Sequence, residues 1–239
     1  EVPPSPQYHT VTVGSVTDFG NDTREYDLRF QSRQTIEFIA GQFAVVLCPK
    51  DGKPIRRAYS IASPPEEKEH LDLLIKRVQG GVVTNWFWSL KEGDRFQVHG
   101  PFGKFVLPPA MDFDLVFIAV GTGVAPFRSM TRSLLPKGFT RKISLLFGAR
   151  YDGMIPYDEE WLELARRHPN FSYLPTLSRP GPRWRGETGY VQTKVEKYFP
   201  DPAAKRVYIC GLMEMIEAAQ EAFLKQGYRK EQIFYERYD

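Results

Sequence analysis

A glycine-rich segment, Gly121 to Pro126 (GTGVAP), directly follows the apolar run Leu115–Val120. Where a buried strand passes through a glycine turn into a helix, bare backbone N–H groups and the helix dipole can bind a phosphate. The spacing departs from the usual GxGxxG pattern, so the segment predicts a variant of the dinucleotide-binding loop. Taken alone, it is also compatible with a tight turn that binds nothing.

A second segment with chemical potential is Arg57-Ala58-Tyr59-Ser60, at the end of a predicted strand. Strand alternation places Arg57 and Tyr59 on one face, and Ala58 and Ser60 on the other. An arginine can clamp a phosphate, and a tyrosine ring can lie against a flat cofactor. In isolation, a surface arginine beside a half-buried tyrosine explains the segment better than a ligand does.

A second glycine turn, Gly80-Gly81, is followed by Val82, Val83 and Thr84. It leads into a helix that the sequence predicts near Thr84–Leu90, with Thr84 as its cap. A capped helix start after two glycines is another candidate anion site. Without other evidence, a plain capped turn is the favoured interpretation.

The elements that must position these segments fall into two groups. The first hundred residues contain six short runs rich in β-branched and aromatic residues, separated by turn signals. With one helix among them, they predict a small six-stranded antiparallel barrel. The predicted strands are Tyr8–Val16, Tyr26–Phe30, Phe43–Cys48, Ala58–Ile61, Leu71–Arg77 and Arg95–His99.

After Pro108-Pro109, apolar runs alternate with helical patterns, which predicts βαβ units and a parallel sheet. We therefore predict two domains, residues 1–110 and residues 111–239. The predicted strands of the second domain are Leu115–Val120, Ile143–Phe147, Phe171–Leu177, Val207–Cys210 and Ile233–Tyr238. Its predicted helices are Pro126–Leu135, Glu159–Arg167 and Met213–Gln226.

Composition excludes several classes of protein. The 239-residue chain is 42% hydrophobic and 26% charged, so it is neither disordered nor fibrous. Its net charge of +3 is too small to favour nucleic acid, and no apolar stretch approaches the roughly 20 residues that cross a bilayer. The first ten residues show no secretory signal. Two cysteines, Cys48 and Cys210, provide no cysteine-based metal centre and favour a reducing, cytoplasmic setting.

In their order along the chain, the segments resemble the ferredoxin–NADP reductase family. The set is RxYS, then GGxxT, then GTGVAP, then Cys210-Gly211 after a late strand. The segment HGPFG at His99–Gly103 and the terminal residues Glu236 and Tyr238 extend the resemblance over essentially the whole chain. Each motif is modest alone, whereas the ordered set is specific.

The resemblance implies an FAD-binding barrel followed by an NADP(H)-binding parallel α/β domain. In such proteins, Arg57 would hold the flavin phosphate, Tyr59 would stack on the isoalloxazine ring, and Ser60 would hydrogen-bond near flavin N5. RxYS does not separate FAD from FMN, although FAD is usual in the family. The residues that would cradle the flavin pyrophosphate are Lys76, Val78, Gly81, Val82, Val83 and Thr84.

The resemblance also implies the nucleotide site. Cys210, followed by Gly211, would pack against the nicotinamide, and Glu236 and Tyr238 would border the flavin. Ser60, Cys210 and Glu236 would then be the residues nearest the reaction. Because Asp239 follows Tyr238, the stacking role of this ring is the weakest match. The residues that would hold the nucleotide pyrophosphate are Gly121, Thr122, Gly123, Val124, Ala125 and Pro126.

NADPH is the predicted nucleotide, because relatives that use NADP carry a Ser-Arg pair such as Ser178-Arg179 at the 2′-phosphate site. Arg183 or Arg185 in the same loop would add a second cation. A phosphate dianion needs such cations, whereas a ribose diol is more often met by a carboxylate. Relatives that use NADH also carry a segment like Trp184–Gly186, so both nucleotides stay open.

The predicted function is electron exchange between NADPH and a one-electron carrier through bound flavin. Hydride transfer needs aligned rings rather than a tuned acid or base, and the sequence contains no evident acid–base constellation. The carrier would be ferredoxin, flavodoxin, or an iron–sulfur or haem protein. One alternative is an NADH-dependent reductase component of an oxygenase or cytochrome system. Another is a flavin-bearing electron-transfer subunit without turnover of its own.

Overall fold

The computed structural model describes residues 5–31 and 34–238, and the chain divides into two compact units. Unit 1 extends to Leu107 and also contains Ala125–Lys137. Unit 2 consists of Pro108–Val124 and the chain from Gly138 onward. The units thus differ from the predicted division at residue 110 in two places. Residues 108–110 belong to unit 2, and Ala125–Lys137 belongs to unit 1 although it follows the predicted boundary in sequence.

Unit 1 contains a six-stranded antiparallel sheet, in the order β4-β3-β6-β1-β2-β5. An isolated bridge between Ile61 and Leu73 links the chain after β4 to β5, the other edge of the sheet. This closure buries alternate side chains of each strand in one core. The strands are β1 (Gln7–Phe19), β2 (Thr23–Phe30), β3 (Phe43–Cys48), β4 (Ile55–Ser60), β5 (His70–Lys76) and β6 (Arg95–Phe102).

Helix α1 (Val82–Ser89) lies between β5 and β6 and contributes Val83 and Phe87 to the core of unit 1. The Tyr26 hydroxyl donates a hydrogen bond to the Phe87 carbonyl at 2.5 Å. That bond satisfies the buried Tyr26 hydroxyl, and the same carbonyl also accepts the Leu90 amide at 3.0 Å at the end of the helix. The core contacts of α1 fix the turn that precedes it.

Unit 2 contains a six-stranded parallel sheet, in the order β10-β9-β8-β7-β11-β12. The order changes direction between β7 and β11, which is where ligands bind in open parallel sheets. The strands are β7 (Asp114–Val120), β8 (Ile143–Ala149), β9 (Phe171–Leu177), β10 (Glu187–Thr188), β11 (Lys205–Gly211) and β12 (Ile233–Arg237). The helices are α3 (Asp158–Arg167), α4 (Val195–Tyr198) and α5 (Met213–Lys225).

Helix α2 (Ala125–Leu134) follows β7 in sequence, yet it belongs to unit 1. Its Phe127 ring lies 5.9 Å from the ring of Phe105, and Arg128 bonds Asp72 at 2.8 Å. Every residue from Ala125 to Thr131 is buried, so the helix has no solvent face in this stretch. Among the residues described, no helix is long and apolar enough to cross a membrane.

Candidate cofactor sites

The end of β4 places Tyr59 and Ser60 in different surroundings. Tyr59 is half-buried against the core, with its ring edge-on to Phe87 at 5.4 Å, whereas Ser60 is buried. Burial raises the pKa of Tyr59 to about 12, with the nearby Arg57 guanidinium acting in the opposite direction. Tyr59 is therefore a neutral ring, held in one orientation by its neighbours, at neutral pH.

Arg57 is exposed on the same strand, and its Nη1 donates a hydrogen bond to the Arg56 carbonyl at 2.8 Å. Strand β4 is an edge strand in the sheet order, paired with β3 through positions such as Val46 opposite Arg57. An exposed guanidinium fork beside an immobilised neutral ring suits an anionic, flat ligand.

The turn after β5 forms a second exposed surface of unit 1. Lys76, Val78 and Gly80 are exposed, Gly81 is half-buried, and Lys76 pairs with Asp22 at 3.6 Å. The first turn of α1 carries no acidic side chain. A helix start with no acidic side chain in its first turn and a lysine nearby fits the pyrophosphate of a dinucleotide.

Thr84 does not cap α1 as the sequence predicted. The helix begins at Val82, its cap position is Gly81 in extended conformation, and the amide of Asn85 already donates to the Gly81 carbonyl at 2.9 Å. Thr84 therefore lies inside the first turn. Its hydroxyl accepts a bond from the Val78 amide at 3.1 Å and so braces the turn from within.

The glycine loop of unit 2 continues β7 as a short 3-10 turn, Gly121–Val124, directly before α2. A Cβ on Gly123 would lie 2.3 Å from the Cys210 carbonyl oxygen and 3.1 Å from the Gly211 amide. Gly121 has a φ of +53°, which favours glycine. Glycines are thus required here because two backbones meet, at the end of β7 and the end of β11, where a pyrophosphate site is expected.

Cys210 is fully buried at the end of β11. Burial raises the pKa of its thiol well above the ordinary value, the Glu236 carboxylate raises it further, and hydrogen bonding with Tyr238 acts in the opposite direction. The side chain is therefore a neutral, polarisable thiol rather than a thiolate nucleophile.

Glu236 and Tyr238 lie beside Cys210, although all three are distant in sequence. Glu236 is the register partner of Cys210 in the parallel β11–β12 pair. The Tyr238 amide donates to the Gly211 carbonyl at 3.0 Å, which continues the pairing beyond β12. The structure thus brings together the four residues of this half of the chain that the sequence predicted near the nicotinamide and the flavin: Cys210, Gly211, Glu236 and Tyr238.

The chain after β9 contains the predicted 2′-phosphate residues. The amides of Ser178 and Arg179 donate to the carbonyls of Ala149 and Arg150, at 3.0 and 2.9 Å. This pairing holds the two segments together beyond the ends of their strands. The side chains of Arg179 and Arg150 are both exposed there.

Arg185 is turned toward its own loop. Its Nη1 donates to the carbonyls of Pro182 and Trp184, at 3.0 and 3.1 Å. The loop folds over Trp184, whose ring leaves no room for a Cβ on Gly186. A Cβ on Gly181 would lie 3.4 Å from Asp152 Oδ2, so the same loop also has a carboxylate beside it.

Sequence reasoning missed a buried ion cluster in unit 1. Arg128 of α2 donates hydrogen bonds to both Asp72 and Glu25. Asp72 also lies near Asp27 and His70, and one oxygen or nitrogen atom from each of these three side chains lies within 4.8 Å of the other two. Arginines pair with the aspartates and balance their charge. The sequence signal for this cluster is Arg128 itself, an arginine in an otherwise apolar helix start. The cluster could not be predicted from it because the acidic partners are 56 and 103 residues away in sequence.

Comparison with known proteins identifies both halves of the chain. Residues 10–107 match the family described as the oxidoreductase FAD-binding domain, and residues 117–221 match the oxidoreductase NAD-binding domain. The chain is therefore a flavin- and pyridine-nucleotide-binding reductase. It is 37% identical to ferredoxin–NADP reductase B of Sorangium cellulosum, over 90% of this chain and 91% of that protein. The chain belongs to the ferredoxin–NADP reductase family.

Other relatives serve oxygenases. The chain is 35% identical to the phenol 2-monooxygenase reductase component DmpP of a Pseudomonas strain, over 88% of this chain but only 60% of that protein. The solved structure of the Amycolatopsis cytochrome P450 reductase GcoB has a TM-score of 0.90 at 31% identity, covering 99% of this chain and 71% of that one. The chain thus resembles part of these longer proteins.

These comparisons confirm the predicted family, the two-part fold, the flavoenzyme class and the FAD- and NAD(P)-binding character of the chain. The individual ligand-contacting residues stay predictions.

Proposed function

We propose that the protein takes a hydride from NADPH and passes electrons singly to a carrier protein, such as ferredoxin, flavodoxin, or an iron–sulfur or haem protein. The observation that carries the nucleotide choice is Ser178-Arg179 at the end of β9, with Arg179 exposed and its backbone bonded to Arg150. The name of the Sorangium relative supports the same choice. Two free, buried cysteines suit a reducing compartment such as the cytoplasm.

In unit 1, we assign flavin binding to the end of β4 and the start of α1. Arg57 would neutralise a flavin phosphate, Tyr59 would present its neutral ring, and Ser60 would orient the reactive edge. The turn from Val78 to Thr84 would hold the pyrophosphate with backbone amides. Bound flavin supplies the exchange between a two-electron hydride donor and a one-electron acceptor.

In unit 2, we assign nucleotide binding to the loop Gly121–Val124 and the cluster around Cys210. The loop would bind the pyrophosphate with its backbone, because Gly123 allows it to approach β11 closely. The uncharged Cys210 side chain would limit where the nicotinamide lies, and Glu236 would contribute a carboxylate beside it. No proton transfer from a side chain is required, in agreement with the neutral thiol.

A second candidate is an NADH-dependent reductase component of an oxygenase or cytochrome system. Asp152 favours it, because its carboxylate lies beside Gly181 in the loop that carries the basic residues. A carboxylate there would accept hydrogen bonds from a ribose diol and repel a 2′-phosphate. The names of the oxygenase reductases among the relatives point the same way.

The decisive experiment compares flavin reduction by NADPH and NADH in the wild type and in Arg179→Ala. Because opposite charges about 4 Å apart near a surface attract by up to about 4 kcal/mol before screening, KM for NADPH should rise by about one to two orders of magnitude. KM for NADH should stay nearly unchanged. Arg167→Ala is the matched control, an exposed arginine on α3 that pairs with Glu163.

Two results would overturn the NADPH assignment. One is a wild-type kcat/KM that already favours NADH, and the other is an Arg179→Ala variant that weakens both nucleotides equally. Bleaching of the yellow flavin by either nucleotide without a partner protein would exclude a flavin subunit without turnover.

The flavin site has its own test. Arg57→Ala should lose flavin on gel filtration, because a hydrogen bond to a charged group contributes roughly 1.5 to 3 kcal/mol. Arg56→Ala is the control, since this neighbouring exposed arginine bonds the Tyr8 hydroxyl at 3.1 Å. Full flavin retention in Arg57→Ala would remove Arg57 from the site.

A further inference from the structure

Arg128 is an almost fully buried charge in the first turn of α2, with 7% of its surface exposed. Its Nη1 donates to Asp72 Oδ2 at 2.8 Å, Glu25 Oε2 at 3.2 Å and the Ala62 carbonyl at 3.4 Å. Burying a guanidinium is unfavourable unless hydrogen bonds and opposite charges compensate it. These contacts provide both, and they join three different segments of the barrel: β2, the chain after β4, and β5.

One of these segments directly follows Ser60. The Ile61 amide donates to the Gln42 carbonyl at 3.0 Å, and the Ala62 amide donates to the Asp72 carbonyl at 2.8 Å. The Asp72 amide in turn donates to the Ser63 hydroxyl at 3.1 Å. The chain after Ser60 is therefore joined to β5 by backbone and side-chain bonds that meet at Asp72, to which Arg128 also binds.

Arg128 also stands at a distinctive place in sequence. Helix α2 begins directly after the glycine loop Gly121–Val124, so the arginine is in the first turn beyond the proposed nucleotide loop. Because the interior of a packed barrel has little free volume, a shift of a buried charged group also shifts the groups that are hydrogen-bonded to it.

We propose that Arg128 is a positioning residue for flavin reduction, which holds Ser60 in place through the Ala62 carbonyl and Asp72. The inference rests on the proposed contact of Ser60 with the flavin. It requires the planar fork of arginine, because a lysine ammonium at the same place keeps the charge but not the fixed directions of the hydrogen bonds.

Arg132 provides a matched control on the same helix. It lies one turn later, is 28% exposed, and donates to Glu67 Oε1 at 2.7 Å. Replacing it with lysine changes an α2 ion pair of the same type without touching the bonds of Arg128 with Asp72 and Ala62. Any effect that comes only from loosening α2 should appear in both variants.

The experiment uses the full chain with bound flavin and compares Arg128→Lys with Arg132→Lys. Since a displacement of about 1 Å near reacting groups can slow a reaction by up to about 100-fold, we expect Arg128→Lys to reduce flavin roughly tenfold more slowly, with KM for the nucleotide nearly unchanged. Its visible flavin spectrum should shift, because hydrogen bonding at the ring changes. Arg132→Lys should keep the wild-type rate and spectrum.

A second variant covers the case in which the charged cluster does not tolerate lysine. Arg128→Met combined with Asp72→Asn and Glu25→Gln removes the buried charges together, so the barrel should fold and bind flavin while reduction stays slow. Ser60→Ala distinguishes the flavin role of Ser60 from the positioning role of Arg128. If Ser60→Ala reduces normally, the flavin role of Ser60 is wrong. If Ser60→Ala is slow while both Arg128 variants keep the wild-type rate and spectrum, the positioning role of Arg128 is wrong. The same role is also wrong if Arg132→Lys changes the reduction rate and the flavin spectrum as much as Arg128→Lys does.

Discussion

The two glycine turns that precede helices in this chain look alike in sequence and differ in construction. The turn before α1 is exposed, and a side chain braces it, since the Thr84 hydroxyl bonds the Val78 amide. The turn before α2 is packed against the end of β11, with Gly123 directly over the Cys210 carbonyl. The Thr84 hydroxyl shapes the turn before α1 and can be removed by mutation, whereas the turn before α2 requires that residue 123 has no Cβ.

This difference teaches that glycine has two uses at a phosphate-binding turn. At Gly81 a Cβ would meet Thr84 Oγ1 at 2.6 Å, the end of a side chain that can rotate, and its nearest backbone atom would be the Val78 carbonyl oxygen at 3.1 Å. At Gly123 the obstacle is backbone at 2.3 Å, which belongs to a strand in the middle of a sheet. The two sites should therefore respond very differently to the same substitution.

The largest expected effect comes from Gly123→Ala. Because neither backbone can move without disturbing β11, we expect a loss of roughly 1–3 kcal/mol in the free energy of unfolding, as for other overpacked interiors. Flavin reduction by nucleotide should fall below detection. Gly81→Ala, at a φ of −69° that alanine adopts readily, should lower the free energy of unfolding by at most about 1 kcal/mol, because its Cβ displaces only the Thr84 hydrogen bond, and flavin reduction should stay detectable. Urea unfolding and stopped-flow reduction measure both, and equal effects would refute the contrast.

The next effect concerns the strand end that the second turn packs against. Cys210→Ala should slow flavin reduction by roughly tenfold, because a shorter side chain leaves the nicotinamide less constrained in distance and angle. Flavin content and nucleotide KM should stay close to wild type, the pattern of an interaction made mainly in the transition state. Cys48→Ala, at the buried cysteine of unit 1, is the control. A wild-type reduction rate in Cys210→Ala would count against its place beside the nicotinamide.

A smaller effect is expected at the braced turn. Thr84→Val keeps the shape of the side chain but removes the bond to Val78, which contributes about 1 kcal/mol and so about fivefold in flavin affinity. Thr84→Ser retains the hydroxyl and should bind flavin like the wild type. Fluorescence titration of the flavin-free protein measures both variants. The brace is unimportant if valine and serine bind flavin equally well.

The smallest expected effect is an absence of pH dependence. The pKa of Cys210 is raised well above the ordinary thiol value, and a thiol ionises only as pH rises toward its pKa, so Cys210 stays neutral from about pH 6 to 9. The rate of flavin reduction should show no step from this group in that range. A disulfide reagent should label neither cysteine in the native protein and both after unfolding. Rapid native labelling would show that the thiol is accessible and ionised.

The sequence alone determined most of the architecture. Alternating β-branched and aromatic residues predicted the barrel strands, and β3 and β9 match their predicted bounds, because polar or proline residues bracket both runs. The ordered motifs predicted the family and its FAD- and NAD(P)-binding character, which the comparisons confirm, whereas the preference for NADPH stays a prediction. Short elements escaped prediction, since the two residues of β10 and the four of α4 are too few for a periodic pattern.

Only the tertiary structure decided where distant residues meet. The register of β11 with β12 places Glu236 opposite Cys210, and no local pattern specifies a parallel register. The start of α1 at Val82 depends on how Val83 and Phe87 pack, which assigns Thr84 to the inside of the helix. The contacts of Arg128 with Asp72 place α2 with unit 1, because a buried charge is stable only where opposite charges from other strands surround it.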